Sequence, residues 1–151
     1  MTAITSSGSK PAGGRPLSYR LMVWLECPLR LRVGALGERS FPAGLYIYTG
    51  SARKTMAARL RRHLRREKRL RWHVDYLLSA PGVQVLEVEI LAETECEVNQ
   101  ASGGHVRVTG FGASDCRAGC GSHLRYQGPT PWASGNRETS FRPVAPGYRR
   151  S

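Results

Sequence analysis

An α+β domain is predicted from three observations. Runs of strand composition stand at 19–25 (YRLMVWL), 45–48 (LYIY) and 83–91 (VQVLEVEIL). A basic amphipathic helix is expected over about 54–68, between the second and third runs. Shorter helical patterns follow at 72–78 (WHVDYLL) and 93–101, stopped by Pro81-Gly82 and by Gly103-Gly104.

In chain order, residues 1–16 are rich in Ser, Gly and Pro and are read as a disordered arm. The strand at 19–25 ends at Cys27-Pro28, because proline cannot continue a central ladder. Residues 29–33 form a short second strand, and 34–44 a loop or hairpin. The strand at 45–48 runs into Tyr48-Thr49-Gly50, read as a turn with Gly50 as its structural residue. Ser51 is read as the N-cap of the basic helix. On that helix Met56, Leu60 and Leu64 form the stripe that anchors it to a sheet, while Arg59, Arg62, His63 and Arg66 share another face. After the two short helices and the strand at 83–91, residues 105–109 suggest one more short strand. A Gly, Ser and Cys-rich stretch covers 110–122, and 123–126 closes the domain as an edge strand. Composition then changes, so the domain is placed at 17–126 and 127–151 is read as a disordered basic tail. No internal repeat is present.

The length of 151 residues suits one domain, and 40% hydrophobic residues support one modest core. A net charge of +12 points to a polyanionic, phosphate-rich partner. No run of eighteen apolar residues exists, so no membrane span is expected. The N-terminus lacks the apolar stretch of a secretory signal, which places the protein in the cytoplasm. There Cys27, Cys96, Cys116 and Cys120 are expected as thiols or metal ligands rather than disulfides. No protein partner is inferred.

Several residues have the chemistry for a phosphodiester. Between positions 53 and 71 ten Lys or Arg face one acid, Glu67. Arginine holds phosphate because its planar fork matches the oxygens. Tyr48, Arg59 and His63 are thereby brought together at a strand end and a helix face, and Tyr19 joins Tyr48 if their strands pair. The plainer reading makes these a solvated basic face and ordinary half-buried tyrosines. Of Glu93, Glu95 and Glu97, one carboxylate beside a basic face would hold magnesium, or all three are simply acids at a helix start. Asp75 is read as structural, holding an arginine. Cys96, Cys116, Cys120 and His123 have spacing compatible with zinc. No CxxC knuckle is present, however, and a tight Gly-rich loop capped by Ser114 and Asp115 explains the same residues.

Taken as a series, these pieces resemble the GIY-YIG nuclease domain, in particular its small stand-alone Uri-type endonucleases. The resemblance rests on Tyr19 in PLSYRL, FPAGLYIYTGSA at 41–52, ARLRRHLR at 58–65, WHVDYLL at 72–78, ECE at 95–97, and GFGASDC with GSHLRY at 110–126. It implies a small, mainly antiparallel sheet of about three central strands flanked by helices. It further implies hydrolysis of DNA by a divalent-metal-dependent endonuclease. By position, Tyr19 and Tyr48 fall on the signature tyrosines, Arg59 on the helix arginine at the scissile phosphate, and His63 one turn later. Glu95, or else Glu97, would hold Mg2+ (or Mn2+). The chain departs from the pattern at Leu17, in a longer gap from Tyr19 to Tyr48, and in the spacing of Cys116 and Cys120.

The function expected is therefore metal-dependent cleavage of DNA, possible substrates including single strands. Tyr19 or Tyr48 would orient or deprotonate water, and Arg59 would stabilise the transition state. Arg53, Lys54, Arg62, Arg66 and Arg69 would grip the backbone without reading bases. Magnesium or manganese is the expected cofactor and zinc is not. The alternatives are a nucleic-acid-binding module without catalysis on the same fold, and a zinc-stabilised adaptor.

Overall fold

The computed structural model describes residues 3–6, 17–51, 55–65, 68–114 and 116–130. Three antiparallel strands form its centre: β2 (Ser18–Leu25) lies between β5 (Gly44–Ser51) and β6 (Val83–Leu91). Strand β7 (Leu124–Gly128) extends the sheet antiparallel to β5, and β1 (Ala3–Ser6) pairs in parallel with β6. The order is β1-β6-β2-β5-β7. A separate hairpin joins β3 (Leu29–Arg32) to β4 (Glu38–Phe41) through a short 3-10 turn, Gly34–Leu36. Helices α1 (Met56–Leu64), α2 (His73–Leu78) and α3 (Glu95–Ala101) flank the sheet. The α+β class and the three central strands agree with the sequence reading.

Alternation along β2 sets the two faces of the sheet. Tyr19, Leu21, Val23 and Leu25 are buried in the main core. Their cluster takes in Tyr46 and Tyr48 of β5, Leu60 of α1, and Val74, Leu77 and Leu78 of α2. Phe41 of β4 and Phe111 of the loop before β7 close it. The even-numbered face of β2 carries α3. Ser18 Oγ donates to Glu93 O at 2.7 Å, and Arg20 reaches Ser102 Oγ and pairs with Glu89.

Several boundaries differ from the expectation. Tyr48-Thr49-Gly50 is not a turn, because β5 continues to Ser51 in register with Ser18 of β2. Gly50 is there because it faces Tyr19: a Cβ at position 50 would lie 2.4 Å from the phenol oxygen. Ser51 consequently ends a strand instead of capping a helix, and Thr55 is the N-cap, without a side-chain cap bond. Helix α1 is shorter than expected and stops at Arg65, whose backbone is extended. Positions 105–109 hold a single bridge, His105 to Tyr126, rather than a strand. Strand β1 lies inside the segment read as an arm. Arg53, Lys54, Arg66, Asp115 and the tail from 131 lie outside the described residues. No helix among the described residues is long and apolar enough to cross a membrane.

Candidate phosphate cleft and thiol cluster

The β2–β5 register draws the two signature tyrosines together, their ring centroids 6.4 Å apart. The Tyr19 hydroxyl and His63 Nε2 share a hydrogen bond at 2.6 Å. Burial, with the charge of Lys68 next in size, pushes the His63 imidazole down to about 4, so the ring is neutral near pH 7. Leu60 and His63 are the buried residues of α1. His63 therefore belongs to the stripe facing the sheet, not to the arginine face where the sequence placed it. Its 2% exposure leaves it no route to a substrate. Burial raises the hydroxyl pKa of both Tyr19 and Tyr48 well above the usual value, which disfavours either as a base.

A cleft of about 600 Å³ opens beside Tyr48. Arg59, Arg71, Trp72, Glu95 and Arg117 line it together with Tyr48. Arg59 is held in place by two contacts of its guanidinium. Its Nη1 donates to Ser51 O at 2.9 Å, and its Cζ sits 4.6 Å from the Trp72 ring centre. Arg62 stacks on the same ring at 4.8 Å but is committed to Asp75, 2.7 Å away. Asp75 Oδ2 also accepts from the amides of Arg71 and Trp72. Burial pushes the Asp75 carboxyl up, yet these hydrogen bonds outweigh it and the net shift is downward. Asp75 thus has the structural role expected of it. Arg62 and Arg69 do not line the cleft, and Arg69 presents its carbonyl to Arg62 Nη2 at 2.5 Å.

The start of α3 and the Gly-rich loop also line the cleft. Gly112 takes a positive φ of 69°, and a Cβ there would stand 3.0 Å from the Tyr48 ring. His73 Nδ1 accepts from the Gly112 amide at 2.8 Å, tying the loop to α2. His123 is fixed by its own backbone: its N–H donates to Phe111 O and its carbonyl accepts from Thr49 N. Its Nδ1 meets Glu95 Oε2 at 2.7 Å. Burial lowers the imidazole pKa and Glu95 raises it, with the balance at about 9.

The other ring nitrogen faces three thiols. Cys96 Sγ lies 4.0 Å from His123 Nε2 and 3.7 Å from Cys116 Sγ. With Cys120, the four donor atoms lie within 4.8 Å of one another. Three cysteines and one histidine so placed are positioned like a zinc site. This overturns the expected cofactor. Thiolate and imidazole donors suit zinc, whereas magnesium requires oxygen ligands. The glutamates chosen for magnesium are engaged elsewhere, Glu95 with His123 and Glu97 in a capping box. Glu97 Oε1 accepts from Thr94 N, and Thr94 Oγ1 accepts from Glu97 N.

Of the cleft residues, Trp72 and Arg117 are not singled out by the sequence reading, and Arg71 enters it only as the end of the 53–71 basic run. Arg71-Trp72, next to the basic helix, was the available signal. Nothing local marked Arg117. The absent CxxC knuckle weakened the zinc reading, because Cys96 comes from a helix far upstream of the other ligands.

A family model described as Domain of unknown function DUF123 matches residues 18–140. No curated protein and no solved structure matches the chain.

Proposed function

We propose a function for a chain that belongs to the family Domain of unknown function DUF123: its cleft binds a phosphodiester of a DNA backbone and hydrolyses it. One observation carries this reading. Tyr48, Arg59 and Glu95 come from β5, α1 and α3, three positions singled out by the resemblance to Uri-type GIY-YIG nucleases, and they line one cleft.

In this reading Arg59, with the exposed Arg71 and Arg117, holds the phosphate oxygens and offsets the charge that builds as water attacks. The stacking on Trp72 orients Arg59 before substrate arrives, so little ordering cost falls on the reaction. Glu95 is the carboxylate of the cleft; with Oε2 given to His123, its other oxygen accepts the proton of the attacking water. Tyr48 stays protonated and offers a hydrogen bond to the phosphate.

A second reading is favoured by the bonds that occupy the acids. Glu95 is held by His123 and Glu97 by the helix cap, as in a module that binds nucleic acid without cutting it. Cleavage of end-labelled single-stranded and duplex DNA separates the two. Hydrolysis predicts cutting that is lost in Arg59→Ala and Glu95→Gln, with DNA binding retained by Glu95→Gln. Salt-sensitive binding without cutting would leave the binding module, and absence of both would overturn the cleft as a nucleic-acid site.

A further inference from the structure

We propose that Cys96, Cys116, Cys120 and His123 bind a single zinc ion that fastens the Gly-rich loop to α3, with Glu95 orienting the histidine from outside the coordination sphere. The inference does not depend on hydrolysis in the cleft.

Two of the separations among the donors are close to those of a loaded site, and all lie within 4.8 Å. Zinc–sulfur bonds of about 2.3 Å at a tetrahedral angle put two sulfurs about 3.8 Å apart. Cys96 and Cys116 stand at 3.7 Å. A Zn–N bond of about 2.0–2.1 Å gives a sulfur–nitrogen separation of roughly 3.6 Å. Cys96 Sγ and His123 Nε2 stand at 4.0 Å, which a small closing motion satisfies. The cysteines are free thiols, so no disulfide competes for the sulfurs.

The surrounding bonds also have the form that a zinc histidine requires. A ligating imidazole usually gives its second nitrogen to a carboxylate or carbonyl, which fixes ring and tautomer. Glu95 takes His123 Nδ1 at 2.7 Å and leaves Nε2 toward the thiols. Gln100 Nε2 donates to Cys120 Sγ at 3.5 Å, a contact that offsets thiolate charge.

The fold gives the ion a task. Between α3 and β7 the described residues form no regular element, and the connection is longer than most in a compact domain. Asn99 Nδ2 to Ser122 O is one tie between α3 and this stretch. The ion would supply a stronger one. With four protein ligands no position stays open for substrate, so its role is structural. Cys96, Cys116 and His123 line the cleft beside Glu95, and zinc occupancy therefore sets the shape of that wall.

The test uses the full chain purified without chelator. Its metal content is measured, and the chelated protein is then refilled with cobalt. The expected result is an equimolar zinc content in the wild type and in Cys27→Ser. The refilled protein should show the strong visible absorption of tetrahedral cobalt and a thiolate-to-metal band. Cys116→Ser and Cys120→Ser should lose stoichiometric zinc. Glu95→Gln should keep the stoichiometry but bind zinc about 10–100-fold more weakly. Because a cysteine variant could fail by misfolding, the cobalt spectrum of the wild type decides. A weak octahedral spectrum, a Cys96–Cys116 disulfide in place of metal, or zinc lost with Cys27→Ser would each overturn the site.

Discussion

The Tyr19 hydroxyl and His63 Nε2 share a 2.6 Å hydrogen bond that joins β2 to the basic helix inside the core. Burial and the neighbouring cations hold the imidazole in its neutral form. Lys68, Arg59 and Arg62 all disfavour its charging, and Asp75 favours charging too weakly to offset them and the burial.

Stability should consequently fall on mild acidification. The unfolded chain takes a proton on His63 below about 6.5, whereas the folded chain does so only near 4. Between those values the unfolded state binds more protons, so stability drops as pH falls and the loss is complete near 4. The shift corresponds to roughly 3 kcal/mol. Denaturant unfolding at pH 7 and pH 4.5, roughly the bounds of that window, should show the loss in the wild type. His63→Gln should largely lack this pH-dependent component, since the variant has no imidazole to titrate.

Gly50→Ala should destabilise the domain by about 1–3 kcal/mol. The added methyl meets the Tyr19 ring, and a ring at 1% exposure has nowhere to move. A turn glycine would have tolerated alanine according to its φ, and Gly50 has no positive φ. Unchanged thermal unfolding of Gly50→Ala would contradict the close approach.

Asp75→Ala should cost about 3 kcal/mol. It strips Arg62 of its partner and leaves the Arg71 and Trp72 amides without their acceptor. Arg62→Ala should cost less, since the Arg71 and Trp72 amides still bond Asp75 Oδ2. The difference between the two variants in chemical denaturation checks the order.

Binding of a labelled oligonucleotide should weaken as salt rises. Arg59→Ala, Arg71→Ala and Arg117→Ala should each lower the magnitude of the log–log salt slope by about 1. Arg62→Ala should leave the slope nearly unchanged, because that guanidinium is bound to Asp75. Equal slopes for all four variants would remove the cleft from the contact surface.

The strands were readable in the sequence because their residues alternate. Tyr19, Leu21, Val23 and Leu25 point one way, and that pattern survives in any context. The end of β5 was not readable, since Thr49-Gly50-Ser51 has turn composition and only the facing Tyr19 explains the glycine. The side of α1 that holds His63 was misjudged because an imidazole satisfies a polar face as readily as a buried hydrogen bond. The cleft was legible in part: Tyr48, Arg59 and Glu95 were named, but the grouping of donors that chooses a metal was hidden. Cys96 is twenty residues from Cys116, and only folding brings the sulfurs together.

The Trp72 indole has a guanidinium on Arg59 at 4.6 Å, on Arg62 at 4.8 Å and on Arg71 at 5.9 Å from its ring centre. A phosphate entering the cleft would bring its negative charge to Arg59 and Arg71 beside the ring, while Asp75 keeps Arg62 where it is. The polarising field on the indole excited state would change with occupancy. The molecule therefore has a native fluorophore at the mouth of the cleft, and its emission colour would report a bound strand without any attached dye.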